Sequence, residues 1–285
     1  MIAFLDCNNL AYRAYFTTGD LSHGGNPTGV IYGFFNQLLT FLKTVGPGVD
    51  LVFCWDGQGS LRKEVYPEYK QNRVKTEEEK QAKAELYEQF DKLRGLLLSD
   101  LGWQQNVWRR DGYEADDLIA WGVQHAMDPQ RVIVSGDEDL YQLLGWESYI
   151  FKPGKNILYS VTDFRRKYRI GPKDFAYIKA LTGCDTDNVP GVPGVGDKTA
   201  VKYFLGQLKP TTKAYKAIIA AKAAGVIDRN LKLVTVPFGD DWTKESLVPQ
   251  PVALRKRDFA AVFEQHGMKS LLARMGEFSM LLGLR

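Results

Sequence analysis

Histidine and cysteine are scarce in this chain, with three of each among 285 residues. Cys7, Cys54 and Cys184 lie far apart with no paired spacing, which argues against a disulfide framework and against a zinc site, and fits a reducing cytosol. His23, His125 and His266 also stand apart and suggest neither a ligand set nor a nucleophilic triad. Long apolar runs are missing too. No stretch approaches the ~20 residues of a membrane span, and the MIAFLD start lacks the basic region of an export signal. A cytoplasmic protein with no membrane partner is expected. Charge of one sign is nearly balanced by the other, since 37 Lys and Arg face 34 Asp and Glu. The net charge of +3 is too small to point to nucleic acid, so the distribution of charge has to carry that argument. No internal repeat or low-complexity segment is present. With 45% hydrophobic residues, the chain can bury a large core as one large domain or two modest ones.

Short apolar runs suited to buried parallel strands recur at Ile2–Leu5, Leu51–Trp55 and Arg131–Val134. Segments of helical periodicity, such as Gly29–Lys43 and Thr76–Leu98, separate them, and this alternation predicts an α/β fold around a mainly parallel central sheet with flanking helices. Each run leads into acid: Asp6 after the first, Asp56 after the second, Asp137 and Asp139 after the third. Ligands of open α/β sheets bind beyond the carboxyl ends of the strands, so these four acids can share one edge. From Thr162 onward, helical stretches broken by Gly and Pro take over, with a weak strand signal only near Lys232–Val236. The chain therefore divides into a 1–165 unit and a helical 166–285 unit.

The densest acidic motif is GYEADDL at Gly112–Leu118, where Glu114, Asp116 and Asp117 open an apparent helix. Acids in a first turn commonly serve the helix dipole, and Asp137 and Asp139 in SGDEDL could be caps in the same way. Recurrence favours chemistry, because Asp6, Asp56, this acidic group, the Asp137 and Asp139 pair, and Asp185 with Asp187 all fall at element boundaries. Like charges gathered on one edge push pKa values up and cost stability unless cations neutralise them. Oxygen donors without His or Cys point to Mg²⁺ or Mn²⁺. Two such ions ~3.5–4 Å apart can activate a water and stabilise the leaving oxygen of a phosphodiester.

Between the second strand and the acidic helix lies LRKEVYPEYKQNR at Leu61–Arg73, followed by a charge run over Val74–Arg94 that reads mostly as a solvated helix face. Lys70 and Arg73 follow Tyr66 and Tyr69 and are candidates to hold a phosphate opposite the acids, while an aromatic ring stacks on a base. The second unit centres on NVPGVPGVGDKTA, Asn188–Ala200, which leads into a lysine-bearing helix at Lys198–Leu205. Gly191, Gly194 and Gly196, then Lys198, Thr199 and Lys202, suit backbone amides and side chains offered to a phosphate at a helix N-terminus; a plain tight turn is the alternative. The same glycines lack the βαβ context of a dinucleotide site. Trp55, Trp103, Trp108, Trp121 and Trp146 are assigned to the core or its margins.

The stretches LDCNNLAYRA, FCWDG, YPEYKQNR, GYEADDL, SGDEDL and TGCDTDNVPGVPGVGDKTA occur in an order that resembles the bacterial and phage 5′–3′ exonuclease and flap endonuclease family, including the 5′-nuclease domain of DNA polymerase I. The resemblance runs from Asp6 to about Phe204. It implies a PIN-like nuclease core over 1–165 with a helical arch at about 70–98, and a DNA-binding lobe over 166–285 with a helix–hairpin–helix-like element at about 183–205. By matching position, Asp6, Asp56, Glu114 and Asp116 look like ligands of a first metal and Asp137, Asp139 and Asp187 like those of a second, with Asp117 an accessory metal-site acid. Lys70 and Arg73 match basic gateway residues at the scissile phosphate, with Tyr69 stacking nearby. The implied cofactors are two Mg²⁺ ions, replaceable by Mn²⁺, and K⁺ at the helix–hairpin–helix-like turn. The implied partner of a monomer is 5′-flap, branched or 5′-ended duplex DNA, or an RNA primer–DNA hybrid, in replication or repair. With the chain ending at Arg285, there is no room for a polymerase, so stand-alone members are the better match. A PIN-type ribonuclease and a non-catalytic structure-specific DNA-binding protein are the rival readings.

One position departs from the family pattern. Where many relatives carry aspartate directly after the glycine, this chain has Cys184 and then Asp185. Asp185 is a candidate substitute ligand, but the unchanged spacing to Asp187 and Asn188 ranks Asp187 above it.

Overall fold

A computed structural model describes residues 1–73, 76–239, 242 and 247–285. Six strands form one sheet in the spatial order Val107–Arg110, Asp50–Asp56, Ile2–Asp6, Arg131–Val134, Ser148–Lys152, Ile157–Tyr159. The first five are parallel and the last is antiparallel. The central strand IAFLD is buried along its whole length, as a parallel strand covered on both faces must be. The three strands expected from the apolar runs are therefore present, in adjacent positions.

Two cores lie on opposite faces of the sheet. On one face, the helices Cys7–Thr18 and Gly29–Val45 approach so closely that a Cβ on Gly33 would sit 2.7 Å from the Ala14 methyl. The helix Glu77–Gly95 joins them through Leu86, Phe90 and Leu93. Its start carries a capping box between Thr76 and Glu79 and three glutamates in the first turn, both favourable at the positive end of the dipole. The region expected to form an arch over 70–98 is thus an exposed first half continuous with a second half that is part of the core; Val74 and Lys75 fall outside the described residues.

On the other face, the acid-led helix Ala115–His125 and the helices Val161–Tyr168, Phe175–Thr182, Asp197–Phe204, Lys213–Ala223 and Val226–Val234 share a second core. The helices Lys256–Gln265 and Met275–Leu282 do not extend that group. Phe259 instead packs on Phe35 and Trp103 of the first core and Phe263 on Phe35, with Phe278 behind them on Phe259 and Phe263. The 166–285 stretch therefore supplies helices to both faces. The weak strand signal at Lys232–Val236 is also overturned: Ile227, Asn230, Leu233 and Val234 are buried at helical spacing within Val226–Val234. Among the described residues no helix is long and apolar enough to cross a membrane.

Candidate metal centre and basic cleft

The carboxyl ends of the strands set the acids side by side. Asp6 ends the central strand and caps the next helix, accepting a hydrogen bond from the Asn9 amide at 3.0 Å and another from the Ser135 hydroxyl at 2.7 Å. Asp56 ends the neighbouring strand and accepts from the Ala115 amide at 2.8 Å, while its own N–H donates to Asn8 Oδ1 at 2.9 Å. After Arg131–Val134, the Asp137 amide donates to Ser135 Oγ at 3.0 Å and the Asp139 amide to Asp137 Oδ1 at 2.8 Å. Asn8 and Ser135 thus tie three strand ends together; as common polar residues, they carry no sequence signal for that role.

The electrostatics record the crowding. Burial pushes the Asp6 carboxyl up to about 7, and the Asp56 and Asp137 charges add to the shift. Asp139 is raised to about 6 by burial and by Asp137, although Lys179 opposes it. Burial raises Asp56, Asp116 and Asp137 as well, with Asp137 and Asp6 adding to Asp116. Glu114 goes the other way: burial alone would raise it, but Lys70 and Arg62 more than offset that and its pKa is lowered. Buried carboxylates that repel one another and offer only oxygen fit a hard divalent cation.

Asp139, Cys184 and Asp187 each bring one donor atom into a group whose members lie within 4.8 Å of one another. Asp6, Asp56, Glu114 and Asp116 share the edge, but among the described residues their donor atoms form no comparably close trio. Asp185 is exposed and lies outside the group, so the candidate substitute is not brought to the site, and Cys184 is.

Asp117 also needs correcting. It is completely buried, and its two oxygens accept from both Arg62 terminal nitrogens at 2.7 and 2.8 Å, from the Phe238 amide at 2.8 Å and from the Glu114 amide at 3.0 Å. A carboxylate so fully engaged has no lone pair left for a metal. Arg62, itself 2% exposed, donates further to the Leu233 carbonyl at 2.9 Å and so bolts the acidic helix to Val226–Val234. Sequence reasoning missed Arg62, because nothing marks it among the other basic residues of its segment.

Lys70 and Arg73 do face the acids. Lys70 Nζ lies 2.7 Å from Glu114 Oε1 and 3.9 Å from Asp187 Oδ1, and Arg73 lies 2.5 Å from Asp187 Oδ1. The segment is fixed by cross-links to the Asp185–Asn188 loop: the Lys70 amide donates to the Asp187 carbonyl, Asn72 to the Asp185 carbonyl and Asn188 to the Glu68 carbonyl. Lys70 takes a left-handed φ of 56° to make this turn. Tyr69 was expected to stack on a base, but its ring is 2% exposed and packs with Val189 and Leu233. Its hydroxyl lies 3.0 Å from Asp187 and 3.2 Å from Glu114, so it bridges two acids instead. Beside the acids opens a cleft of about 470 Å³ lined by Lys63, Lys70, Arg73, Lys83, Arg94 and Arg109. A larger cleft of about 730 Å³, between Ser99–Gln105 and Gln250–Asp258, holds none of the candidate residues.

The glycine-rich turn joins the helices Phe175–Thr182 and Asp197–Phe204, with the short strands Gly183–Cys184 and Val189–Pro190 paired between them. Gly191 is required by packing: a Cβ there would sit 2.1 Å from the Thr182 carbonyl oxygen. Gly194, at φ 75°, and the cap Gly196 face open space, and Lys198 and Lys202 are exposed one turn apart, with Thr199 half-buried between them.

A mostly parallel sheet with buried acids along one edge, a basic cleft over them and a hairpin of helices beside them is the architecture of a divalent-metal nuclease. The chain belongs to the 5′–3′ exonuclease family: residues 1–169 match the model of the 5′–3′ exonuclease N-terminal, resolvase-like domain. DNA polymerase I of Bacillus subtilis is 31% identical over 98% of this chain and 32% of its own length, so the chain spans about a third of that relative. Among solved structures, T5 5′-exonuclease with bound divalent metal ions (zinc) superposes with a TM-score of 0.67 and 23% identity over 83% of this chain and 89% of that one. Flap endonuclease-1 from Methanococcus jannaschii gives 0.60 and 15% identity, covering 99% and 92%. At those identities the likeness is one of fold.

Proposed function

We propose that this chain is a structure-specific 5′ nuclease that hydrolyses DNA phosphodiesters at the acidic sheet edge with two divalent ions, Mg²⁺ or Mn²⁺. The observation that carries the reading is the juxtaposition of buried, mutually repelling carboxylates with a cleft lined by six basic side chains. Asp6, Asp56, Glu114 and Asp116 would hold one ion, and Asp137, Asp139 and Asp187 the other. Bound there, divalent ions supply Lewis acidity and a water of lowered pKa. The chain's own residues do the rest. Lys70 and Arg73, at the lip of the cleft, hold the scissile phosphate as the catalytic cations. The amides around Gly194 and Gly196 together with Lys198, Thr199 and Lys202 grip duplex backbone without reading bases, and K⁺ at that turn belongs to the same reading. The 166–285 stretch carries the DNA-binding lobe, through those of its helices that share the second core, and the exposed first half of Glu77–Gly95 is the arch. A flap or 5′-ended duplex, or an RNA primer–DNA hybrid, is the substrate of a monomer working in the cytoplasm, in replication or repair. A T5 flap endonuclease of similar fold has been solved with DNA and metal ions, which supports the substrate class.

The test is incubation with a 5′-flap duplex and with single-stranded RNA, each in Mg²⁺ and in EDTA. Flap release in Mg²⁺ and none in EDTA is expected. Cleavage of RNA alone, or flap binding without cleavage in either Mg²⁺ or Mn²⁺, would refute the proposal.

A further inference from the structure

Cys184 stands where a carboxylate ligand would be expected, and the fold aims it at the acids. Gly183, at φ 77°, turns the chain at the end of Phe175–Thr182, and the pairing of Cys184 with Val189 fixes the direction of its side chain. The thiol lies 3.1 Å from the Thr186 hydroxyl and within 4.8 Å of donor oxygens on both Asp139 and Asp187. Zn–S and Zn–O distances of ~2.3 and ~2.0–2.2 Å at tetrahedral angles put ligand atoms ~3.4–3.6 Å apart, so three donors within 4.8 Å of one another are gathered near, and somewhat looser than, the spacing of a shared ion. The group already draws a cation: the Lys179 ammonium, largely buried on Phe175–Thr182, lies 3.0 Å from Asp139 Oδ1. Cys7 and Cys54 are fully buried elsewhere in the two cores, which leaves Cys184 as the cysteine with access to the edge.

We propose that Cys184 is a thiolate ligand of the second ion, which makes this site select a borderline transition metal such as Zn²⁺ or Co²⁺ over Mg²⁺. The inference rests on the metal-dependent reading of the edge and deepens it. Carboxylate oxygens alone suit a hard ion, whereas one sulfur among them moves the preference toward ions that bind thiolate. Coordination releases the thiol proton to solvent, so uptake of the ion is accompanied by proton loss. Asp137, Asp139 and Asp187 would supply the remaining charge, and the ion would take over the neutralising role that Lys179 has at Asp139.

The experiment is a titration of the full chain with Co²⁺, followed by near-ultraviolet absorption for thiolate-to-cobalt charge transfer and by calorimetry for binding. A charge-transfer band that saturates at one thiolate per chain, survives Asp6→Asn and is lost in Cys184→Ser is expected. Cys184→Asp should abolish the band and weaken Zn²⁺ binding relative to Mg²⁺ by about tenfold or more, given that even an outer partner of a ligand is worth ~10–100-fold. Calorimetric Co²⁺ binding without the band, or a band that persists in Cys184→Ser, overturns the proposal. Flap cleavage run in parallel separates the two readings. Cleavage in Mg²⁺ without a cobalt band sinks the thiolate assignment alone. A band with no cleavage in any ion supports the thiolate and sinks the nuclease.

Discussion

Asp117→Asn tests whether the acid next to Asp116 is a metal-site residue or a structural one. In the native protein its carboxylate receives four hydrogen bonds, two of them from a guanidinium that is 2% exposed. Asparagine keeps the shape but replaces one oxygen with an NH₂ group that must face one N–H of the Arg62 fork and one backbone amide at once, since each oxygen accepts one of each. Breaking one side of a buried ion pair costs ~3–5 kcal/mol, because the remaining charge stays buried without its partner. For a chain of this size each kcal/mol lowers the melting temperature by ~2–4 °C, so a fall of roughly 6–20 °C is expected. The assay is thermal and urea unfolding in EDTA, followed by circular dichroism, with Mn²⁺ binding measured on the folded variant. Because no lone pair of Asp117 reaches the ion, the loss of stability should be present without metal and the folded variant should still bind Mn²⁺. A variant as stable as the parent in EDTA that has lost Mn²⁺ binding would refute the reasoning.

The acids predict an unusual pH dependence in EDTA. Asp6 titrates at about 7 in the fold against 3.8 when unfolded, so the folded state holds the extra proton between these values and stability falls as pH rises through that window. Unfolding midpoints measured from pH 4.5 to 7.5 should therefore decline in EDTA, and added Mn²⁺ should raise them more at the upper end; a midpoint that climbs with pH in EDTA contradicts the shift. Asp187→Asn should reduce flap cleavage far more than Asp185→Asn, since only Asp187 touches Lys70, Arg73 and Tyr69; equal losses would remove that ranking. Tyr69→Phe removes the hydroxyl between Glu114 and Asp187 and should cost about 1 kcal/mol of stability while raising the metal concentration needed for half-maximal cleavage; an unchanged metal requirement would show that the bridge is idle. Lys198→Ala and Lys202→Ala should each lower the slope of log affinity against log salt for duplex DNA by about 1, and an unaltered slope would take these lysines off the phosphate backbone.

Ile2–Asp6, Asp50–Asp56 and Arg131–Val134 were legible in the sequence because parallel strands covered on both faces are apolar throughout. Val107–Arg110 was not, since this edge strand contains two arginines and is only partly buried. The Lys232–Val236 segment misled because a short alternation of polar and apolar residues fits either period when the buried partners, here Asn230 and Leu233, are unknown. The site divides along the same line. Residue type and element boundary located the acids, but neither tells which acid has a private partner. Asp116 and Asp117 are consecutive, and a rotation of about 100° per residue sends one toward Asp6 and Asp137 and the other into the Arg62 fork. The difference depends on Arg62, 55 positions back along the chain, and on Leu233 and Phe238 more than a hundred ahead. Tyr69 follows the same logic, because its ring is captured by Val189 and Leu233 from a distant helix and hairpin, which leaves only the hydroxyl for the acids. A charge pattern therefore announces that an edge is electrostatically strained, whereas the division between carboxylates left at the edge and carboxylates locked into the fold is made by the distant helices that pack behind it.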